Sequence, residues 1–189
     1  LNINRKFELN YRKGSIGVDL YRTQFSNKII PDYDTDPSKV YFHNLVGQSF
    51  ANNVQVEASY FILKPIEFKV SYKYLDVFSK TNGMRIAEPY VPRHRAVTSL
   101  FYESFNRKWN ANVTWQWFGS KKMPYLDEAY QPEISDYKSF SKPYSMVNLQ
   151  LTRHWRNFEV YIGAENLFDF RQENYIVGAS NPYDGFFDA

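Results

Sequence analysis

The chain has 189 residues and a formal net charge of only +3; it is 19% aromatic and 43% hydrophobic, yet its mean hydropathy is −0.56. No window approaches the ~18 apolar residues of a membrane helix, and the cations form no basic cluster of the kind that binds nucleic acid. Having no cysteine, the chain has no disulfide and no thiolate metal site.

Strand-like alternation begins at once, so the chain reads as a piece of something longer. Residues 3–11 place Ile3, Phe7, Leu9 and Tyr11 in one register. A polar turn at Arg12-Lys13-Gly14 leads to residues 15–26, where Ile16, Val18 and Leu20 oppose Gly17, Asp19, Tyr21 and Thr23. Residues 27–47 read as loop, because two prolines and three aspartates between Pro31 and Pro37 oppose regular pairing. Residues 50–62 set Val54, Val56, Ala58, Tyr60 and Ile62 against Gln55, Glu57 and Ser59. A turn at Leu63-Lys64-Pro65-Ile66 joins them to residues 67–78, with Phe68, Val70, Tyr72 and Tyr74 against Lys69, Ser71 and Lys73. After a second loop over 79–93, residues 94–104 alternate poorly and either face reads as apolar. The turn Phe105-Asn106-Arg107-Lys108 introduces a clear strand at 109–118, its Trp109, Ala111, Val113, Trp115 and Trp117 opposing Asn110, Asn112, Thr114 and Gln116. The longest loop spans about 119–143. Strands at 144–155 and 158–168 meet at Trp155-Arg156-Asn157, and the remaining residues are loop-like.

The connections thus alternate short and long, four hairpin turns separated by loops well beyond the usual few residues. Outer-membrane barrels are built this way, with short periplasmic turns and long extracellular loops, and only alternate residues facing lipid. Alternation alone also fits a soluble β-sandwich or a small structural barrel. Two features favour a membrane barrel: Asp19, Glu57, Lys69, Lys73, Glu159 and Glu165 stand mid-strand as they would along a hydrated lumen, and Tyr11, Trp109, Trp155, Tyr21, Phe25, Trp117 and Tyr144 lie near strand ends as in interfacial girdles. About eight strands beginning and ending at the long-loop side do not make a complete bacterial barrel. The expected fold is therefore an all-β, antiparallel transmembrane sheet that is part of a wider barrel.

Several segments resemble one family. Val18-Asp19-Leu20-Tyr21-Arg22-Thr23-Gln24-Phe25 looks like the "DxYRTxF" strand of TonB-dependent outer-membrane receptors, and Val70-Ser71-Tyr72-Lys73-Tyr74-Leu75-Asp76 resembles their "YxYLD" strand. Pro92-Arg93-His94-Arg95 resembles their "PxHR" junction, and Gly163-Ala164-Glu165-Asn166-Leu167-Phe168-Asp169 their "GxENLFD" element. Asn174 to Pro182 is close to the "NPIIGAxNP" segment of one large subgroup. The resemblance implies a 22-stranded barrel with an N-terminal plug, of which residues 1–189 are about the last third, without the final strands. It implies an active-transport receptor of the bacterial outer membrane, not an enzyme. The partners it implies are the inner-membrane TonB complex acting through the absent plug, a bulky scarce solute such as a siderophore, haem, cobalamin or glycan, outer-membrane lipid and lipopolysaccharide, and a surface lipoprotein. No cofactor is implied.

Chemistry-bearing candidates are few. Asp32, Asp34 and Asp36 resemble half of a calcium loop but lack its glycine and distal glutamate, so a solvated turn is the simpler reading. His43, His94 and His154 have no metal-ligand spacing, and no catalytic motif is present. Asn166 and Asp169 read as turn formers. The best binding candidates are loop tyrosines, which present rigid amphipathic area at low entropic cost. These are Tyr33, Tyr41, Tyr90, Tyr125, Tyr130 and Tyr137.

Overall fold

The computed structural model describes residues 1–32, 39–81, 84–123 and 140–171. Eight strands form one antiparallel sheet in which each long strand pairs with the next: β1 (Asn2–Leu9), β2 (Arg12–Phe25), β5 (Gln48–Leu63), β6 (Ile66–Thr81), β8 (His94–Glu103), β9 (Trp109–Phe118), β10 (Tyr144–His154) and β11 (Glu159–Ala164). The numbering skips because β7 (Met84–Ala87) is a short strand folded back on the end of β6, and β3 (Ile29–Asp32) pairs with β4 (Tyr41–Asn44) as a separate two-stranded ribbon. The expected meander of eight strands is therefore present, with two additions. The 27–47 segment, expected to be loop, contains β3 and β4. Pro31 is accommodated opposite Phe42 because each strand of a two-stranded ribbon has an open edge that needs no N–H donor.

The first turn lies earlier than the sequence suggested. Leu9 pairs with Arg12, leaving Asn10 and Tyr11 as the two turn residues, both at positive φ (52° and 57°). Such a turn matches the right-handed twist of the flanking strands, and asparagine tolerates the conformation. Gly14, which suggested a turn, is instead inside β2 opposite Phe7. A Cβ there would collide with the Phe7 ring, which lies across the glycine towards Tyr60 at a centroid distance of 6.3 Å. The glycine is a slot for an aromatic ring, a recurrent way of filling the gap above a strand glycine.

Register assigns every side chain to a face. Ile3, Val18, Val56, Tyr72, Ala96 and Trp117 form one continuous row across six strands. Tyr60, Phe68, Leu100, Val113 and Leu149 form another on the same side. The strand whose face was ambiguous is thereby resolved: Ala96, Thr98, Leu100 and Tyr102 lie on the apolar side, and Arg95, Val97, Ser99, Phe101 and Glu103 on the polar side. The opposite face carries Gly17, Glu57 and Ser71 in one row and Ser15, Ser59, Lys69, Ser99 and Thr114 in the next.

Among the described residues no second sheet covers the apolar rows. Leu20, Val56, Leu100, Val113 and Leu151 are each 36–42% exposed. A sandwich buries such a face against a second layer, whereas a barrel in a bilayer turns it to lipid. The girdle expectation is met in part. Trp109 and Trp117 belong to the apolar face, and Trp155 stacks on Phe158 at 4.8 Å beside it. Tyr21, Phe25 and Tyr144 fall on the opposite register, since each is an odd number of residues from the apolar positions of its strand.

Buried side chains are concentrated at the long-loop end. Leu45, Phe50, Phe78 and Met123 are the buried hydrophobics among the described residues, with Ser49, Asp76 and Ser79 the buried polar ones. The β3–β4 ribbon is fastened there by the Leu45 N–H donating to the Lys28 carbonyl (2.8 Å) and by the Lys28–Glu88 ion pair (2.9 Å).

Candidate functional site

The polar face becomes most distinctive where the strands approach the long loops. Asp19, Gln55, Lys73, Arg95, Phe118 and Tyr144 are cross-strand neighbours in one row spanning β2 to β10. Within it the Phe118 and Tyr144 rings stack at 4.8 Å, and Tyr144 stacks in turn on Phe170 at 5.0 Å with parallel planes. Two cations lean on this three-ring ladder. The Arg95 guanidinium lies 5.6 Å from the Phe118 centroid and the Lys121 ammonium 5.4 Å from that of Tyr144. Neither forms an ion pair with a carboxylate among the described residues. Partial burial, and then the positive charge of Arg95, lower the pKa of Lys121. Stacked cations keep their N–H edges available, and an arginine fork suits a planar anion. The ladder can therefore hold a ligand combining negative charge with flat aromatic area.

Phe170 reaches the ladder because the chain turns sharply after β11. Asn166 has φ 47° and Asp169 φ 48°, both left-handed. The Asn166 side chain closes the turn from both sides: Nδ2 donates to the Phe170 carbonyl (2.9 Å) and Oδ1 accepts from the Phe170 N–H (3.0 Å). Its own N–H donates to Asn148 Oδ1 (2.9 Å), tying the turn to β10. The Asn-Leu-Phe-Asp element is thus a turn former, as expected, and through Phe170 it also sets the outer ring of the ladder.

Next to the ladder, a cavity of about 230 Å³ separates the β3–β4 ribbon from the sheet end, lined by Ile30, His43, Leu45, Ile86 and Lys122 among others. A second, of about 210 Å³, lies between Leu75, Val77, His94 and Phe140. His94 starts β8 and acts structurally: its Nδ1 is 2.6 Å from the Tyr72 hydroxyl, and its carbonyl accepts from the Gly119 N–H (2.8 Å). His154 bonds Glu159 (3.0 Å) and Asn110 (3.0 Å) near the opposite end of the polar face.

Of the six candidate tyrosines, two lie in described segments. Tyr41 opens β4 opposite Asp32 and is 44% exposed. Tyr90 has φ 60° and donates its N–H to the Lys122 carbonyl (2.8 Å), holding two loops together at the same end of the sheet. Neither lines the cavities just described. Tyr33, Tyr125, Tyr130 and Tyr137, with Asp34 and Asp36, lie outside the described residues. Sequence reading missed Arg95, Phe118, Lys121 and Phe170. Register alone assembles them, and the poor alternation of β8 hid the face on which Arg95 stands.

An antiparallel meander with one lipid-type face, one polar face and long connections at a single end is the wall of an outer-membrane-type β-barrel. The chain belongs to the TonB dependent receptor-like, beta-barrel family, whose model matches residues 4–167. No curated protein matches it. Among solved structures it is similar to the copper transporter OprC (TM-score 0.64, 15% identity, 100% of this chain and 28% of that one). It is also similar to the closed form of the ferric-catecholate import receptor Fiu of E. coli K12 (TM-score 0.60, 18% identity, 93% of this chain and 24% of that one). A third is a mutant of the ferric enterobactin receptor PfeA of Pseudomonas aeruginosa (TM-score 0.60, 16% identity, 93% of this chain and 26% of that one). The chain spans about a quarter of the length of these proteins.

Proposed function

We propose that this chain is the C-terminal part of the barrel of an outer-membrane receptor that takes up a bulky, anionic metal chelate, driven by the inner-membrane TonB complex acting through a plug. The chain itself supplies wall and mouth, and no chemistry on the solute. The observation that carries the choice of solute is the ladder of Phe118, Tyr144 and Phe170 flanked by Arg95 and Lys121 on the polar face. Of the solutes such receptors take, a ferric catecholate combines negative charge with flat aromatic rings, and one of the similar structures is named as a ferric-catecholate import receptor. Tyr33, Tyr41, Tyr90, Tyr125, Tyr130 and Tyr137 would close around the solute from the loops, and the ladder would receive it below them.

The test is equilibrium binding of a ferric tris-catecholate to the full parent receptor. Arg95→Ala combined with Lys121→Ala is expected to weaken binding at least about tenfold, the loss of one to two charge-assisted contacts. Thr114→Ala, on the mid-wall, is expected to leave it unchanged. Equal affinity in the double variant, or tight uptake of a neutral oligosaccharide in place of the chelate, overturns the anion assignment.

A further inference from the structure

One arginine stands inside the apolar band. Register puts Arg5 of β1 opposite Ile16 of β2, in a row that continues through Ala58, Val70 and Thr98 on the lipid-facing side. Its neighbours on the same side of β1, Ile3 and Phe7, are apolar, and the Phe7 ring is drawn away over Gly14 towards Tyr60. Along β2 the nearest cations of this register are Arg12, four residues from Ile16, and Arg22, six residues from it. At about 3.4 Å per residue and a tilt near 40°, those levels are some 10 Å and 16 Å away across the bilayer. Arg5 thus stands at the depth of hydrocarbon. The other arginines on this register of the long strands each lean on something: Arg12 Nη1 donates to the Ile62 carbonyl, Arg22 stands 5.0 Å from the Phe50 centroid, and Arg153 lies 4.5 Å from that of Trp109. Arg5 is exposed and meets no carboxylate, carbonyl or ring among the described residues. Left unpaired in lipid, such a charge lowers the ratio of folded to unfolded protein roughly 30- to 900-fold.

We propose that Arg5 is neutralised by a carboxylate on the strand of the parent barrel that pairs with the open edge of β1. The inference rests on the reading of the apolar face as lipid-facing. Among the described residues β1 bonds to β2 alone. An open edge in lipid leaves N–H and C=O groups unmet, so a strand of the wider barrel covers it. The ladder fixes where the side chains of that strand come. Leu1 N donates to the Leu20 carbonyl and the Leu20 N–H to the Leu1 carbonyl, each at 2.8 Å. Hydrogen-bonded and non-hydrogen-bonded pairs alternate along an antiparallel ladder, so Ile3–Val18 and Arg5–Ile16 are hydrogen-bonded pairs too. Arg5 therefore turns its backbone groups to β2 and holds a non-hydrogen-bonded position towards the open edge. There an antiparallel partner comes closest, with Cα atoms about 4.5 Å apart. A carboxylate at that place accepts the guanidinium fork through two parallel bonds, and charged residues at membrane depth pair in this way. A neutral acceptor would leave the charge in lipid. A separate membrane protein would have to find this one spot by association, whereas the neighbouring strand stands beside Arg5 in every folded molecule.

The sign of one substitution is the test. In urea titration of the parent receptor folded into lipid vesicles, Arg5→Leu is expected to lower the ratio of folded to unfolded protein at least about tenfold, because it strands a carboxylate in lipid. Arg5→Lys, which keeps the charge, is expected to lose less. An arginine facing lipid alone gives the opposite sign, a rise of about 30-fold or more for leucine, so a rise or no change overturns the proposal, as does a lysine variant as poor as the leucine one. The parent sequence is expected to carry Asp or Glu opposite Arg5, or two residues to either side, on the lipid register of the neighbouring strand; a strand with neither overturns the proposal. Replacing that carboxylate by leucine is expected to cost as much as Arg5→Leu, and the two leucines together to restore the wild-type ratio to within about threefold. Losses that add overturn the pairing, and the double variant gives the answer even where Arg5→Leu alone does not fold. A loss seen in native membranes but absent from the purified receptor assigns the carboxylate to a separate protein and overturns the choice of strand. Ala58→Arg, in the same row two strands away, is expected to lower the ratio about 30-fold or more; a harmless Ala58→Arg overturns the lipid-facing reading, and the pairing with it.

Discussion

Arginine placed on either face of β8 and β9 separates lipid from lumen more sharply than hydropathy does. The apolar row of β9 runs from Trp109 to Trp117 with Val113 midway, opposite Leu100 on β8 and Leu149 on β10. Eight steps at about 3.4 Å make some 27 Å along the strand, or about 21 Å across the bilayer at a tilt near 40°. Val113 and Leu100 therefore lie near the midplane, where an arginine on the lipid side costs about 2–4 kcal/mol. That is roughly a 30- to 900-fold fall in the ratio of folded to unfolded receptor. The packing lost with either side chain adds little, since both are already about 40% uncovered by protein. Asn112 and Phe101 are neighbours on the other face, and Phe101 stands opposite Glu67. Asn112→Arg should be nearly neutral, and Phe101→Arg should cost under about 1 kcal/mol despite replacing an aromatic ring, because the new charge meets water and a carboxylate. Hydropathy alone ranks Phe101→Arg with Leu100→Arg. Urea titration of the parent receptor folded into lipid vesicles measures all four. Equal losses for Leu100→Arg and Phe101→Arg would refute the assignment of the β8 faces.

Asn166→Ala removes two side-chain hydrogen bonds to Phe170 and places a Cβ-bearing residue without them at φ 47°. A loss of about 1–3 kcal/mol is expected in the same titration, with Asn166→Gly intermediate; a neutral alanine would show that the turn is held elsewhere. An epitope inserted near Tyr130 should be reachable by antibody on intact cells and one at Arg156-Asn157 only after the outer membrane is breached, and the reverse labelling would invert the topology. Chelate affinity should be constant at neutral pH and fall as pH rises through a range below the usual lysine value of about 10.4, because Lys121 loses its proton early and a bound anion favours the protonated form. Lys121→Arg should flatten that profile, and an unchanged slope would remove Lys121 from the site.

Strands β2, β5, β6, β9 and β10 were legible because lipid or lumen dictates every second residue, and a period of two survives in the sequence wherever both faces are in demand. β8 was not. Val97 and Phe101 sit on its polar face and Thr98 on its apolar one, so its facing comes only from hydrogen-bonded neighbours. The first turn was misread because Gly14 has the composition of a turn and the role of a slot for Phe7. The β3–β4 ribbon was hidden by Pro31, which excludes a central strand but not one with an open edge. The candidate site was the least legible part. Arg95, Phe118, Tyr144 and Phe170 come from four separate stretches of chain, and no local pattern reports which cation will meet which ring.

The two faces of this sheet do not keep their characters over its whole height. On β5 and β6 the outer face is apolar up to Val54 and Tyr74 and then carries Asn52 and Asp76 ahead of Phe50 and Phe78, while the inner face is polar at Gln55 and Lys73 and then becomes mixed, with Asn53 opposite Leu75, Ala51 opposite Val77 and Ser49 opposite Ser79. A strand that merely crossed the bilayer would have no reason to lose the contrast between its faces. Here the contrast is lost where the neighbours of each face change. Outside, lipid gives way to headgroups and water, so charge is no longer expensive, and Arg22 and Lys80 stand over the Phe50 ring and Arg85 over the Phe78 ring. Inside, the β3–β4 ribbon and the segment carrying Glu88 fold over the sheet, so apolar side chains acquire something to bury against, as Leu45 does. The continuous hydrogen-bonded ladder of β5 and β6 carries both environments on one pair of strands. The level at which the contrast is lost coincides with the end of the apolar run outside and with the start of the ribbon's cover inside. The Arg95–Phe118–Tyr144 row lies next to that level, one step from the Leu75 row of β6.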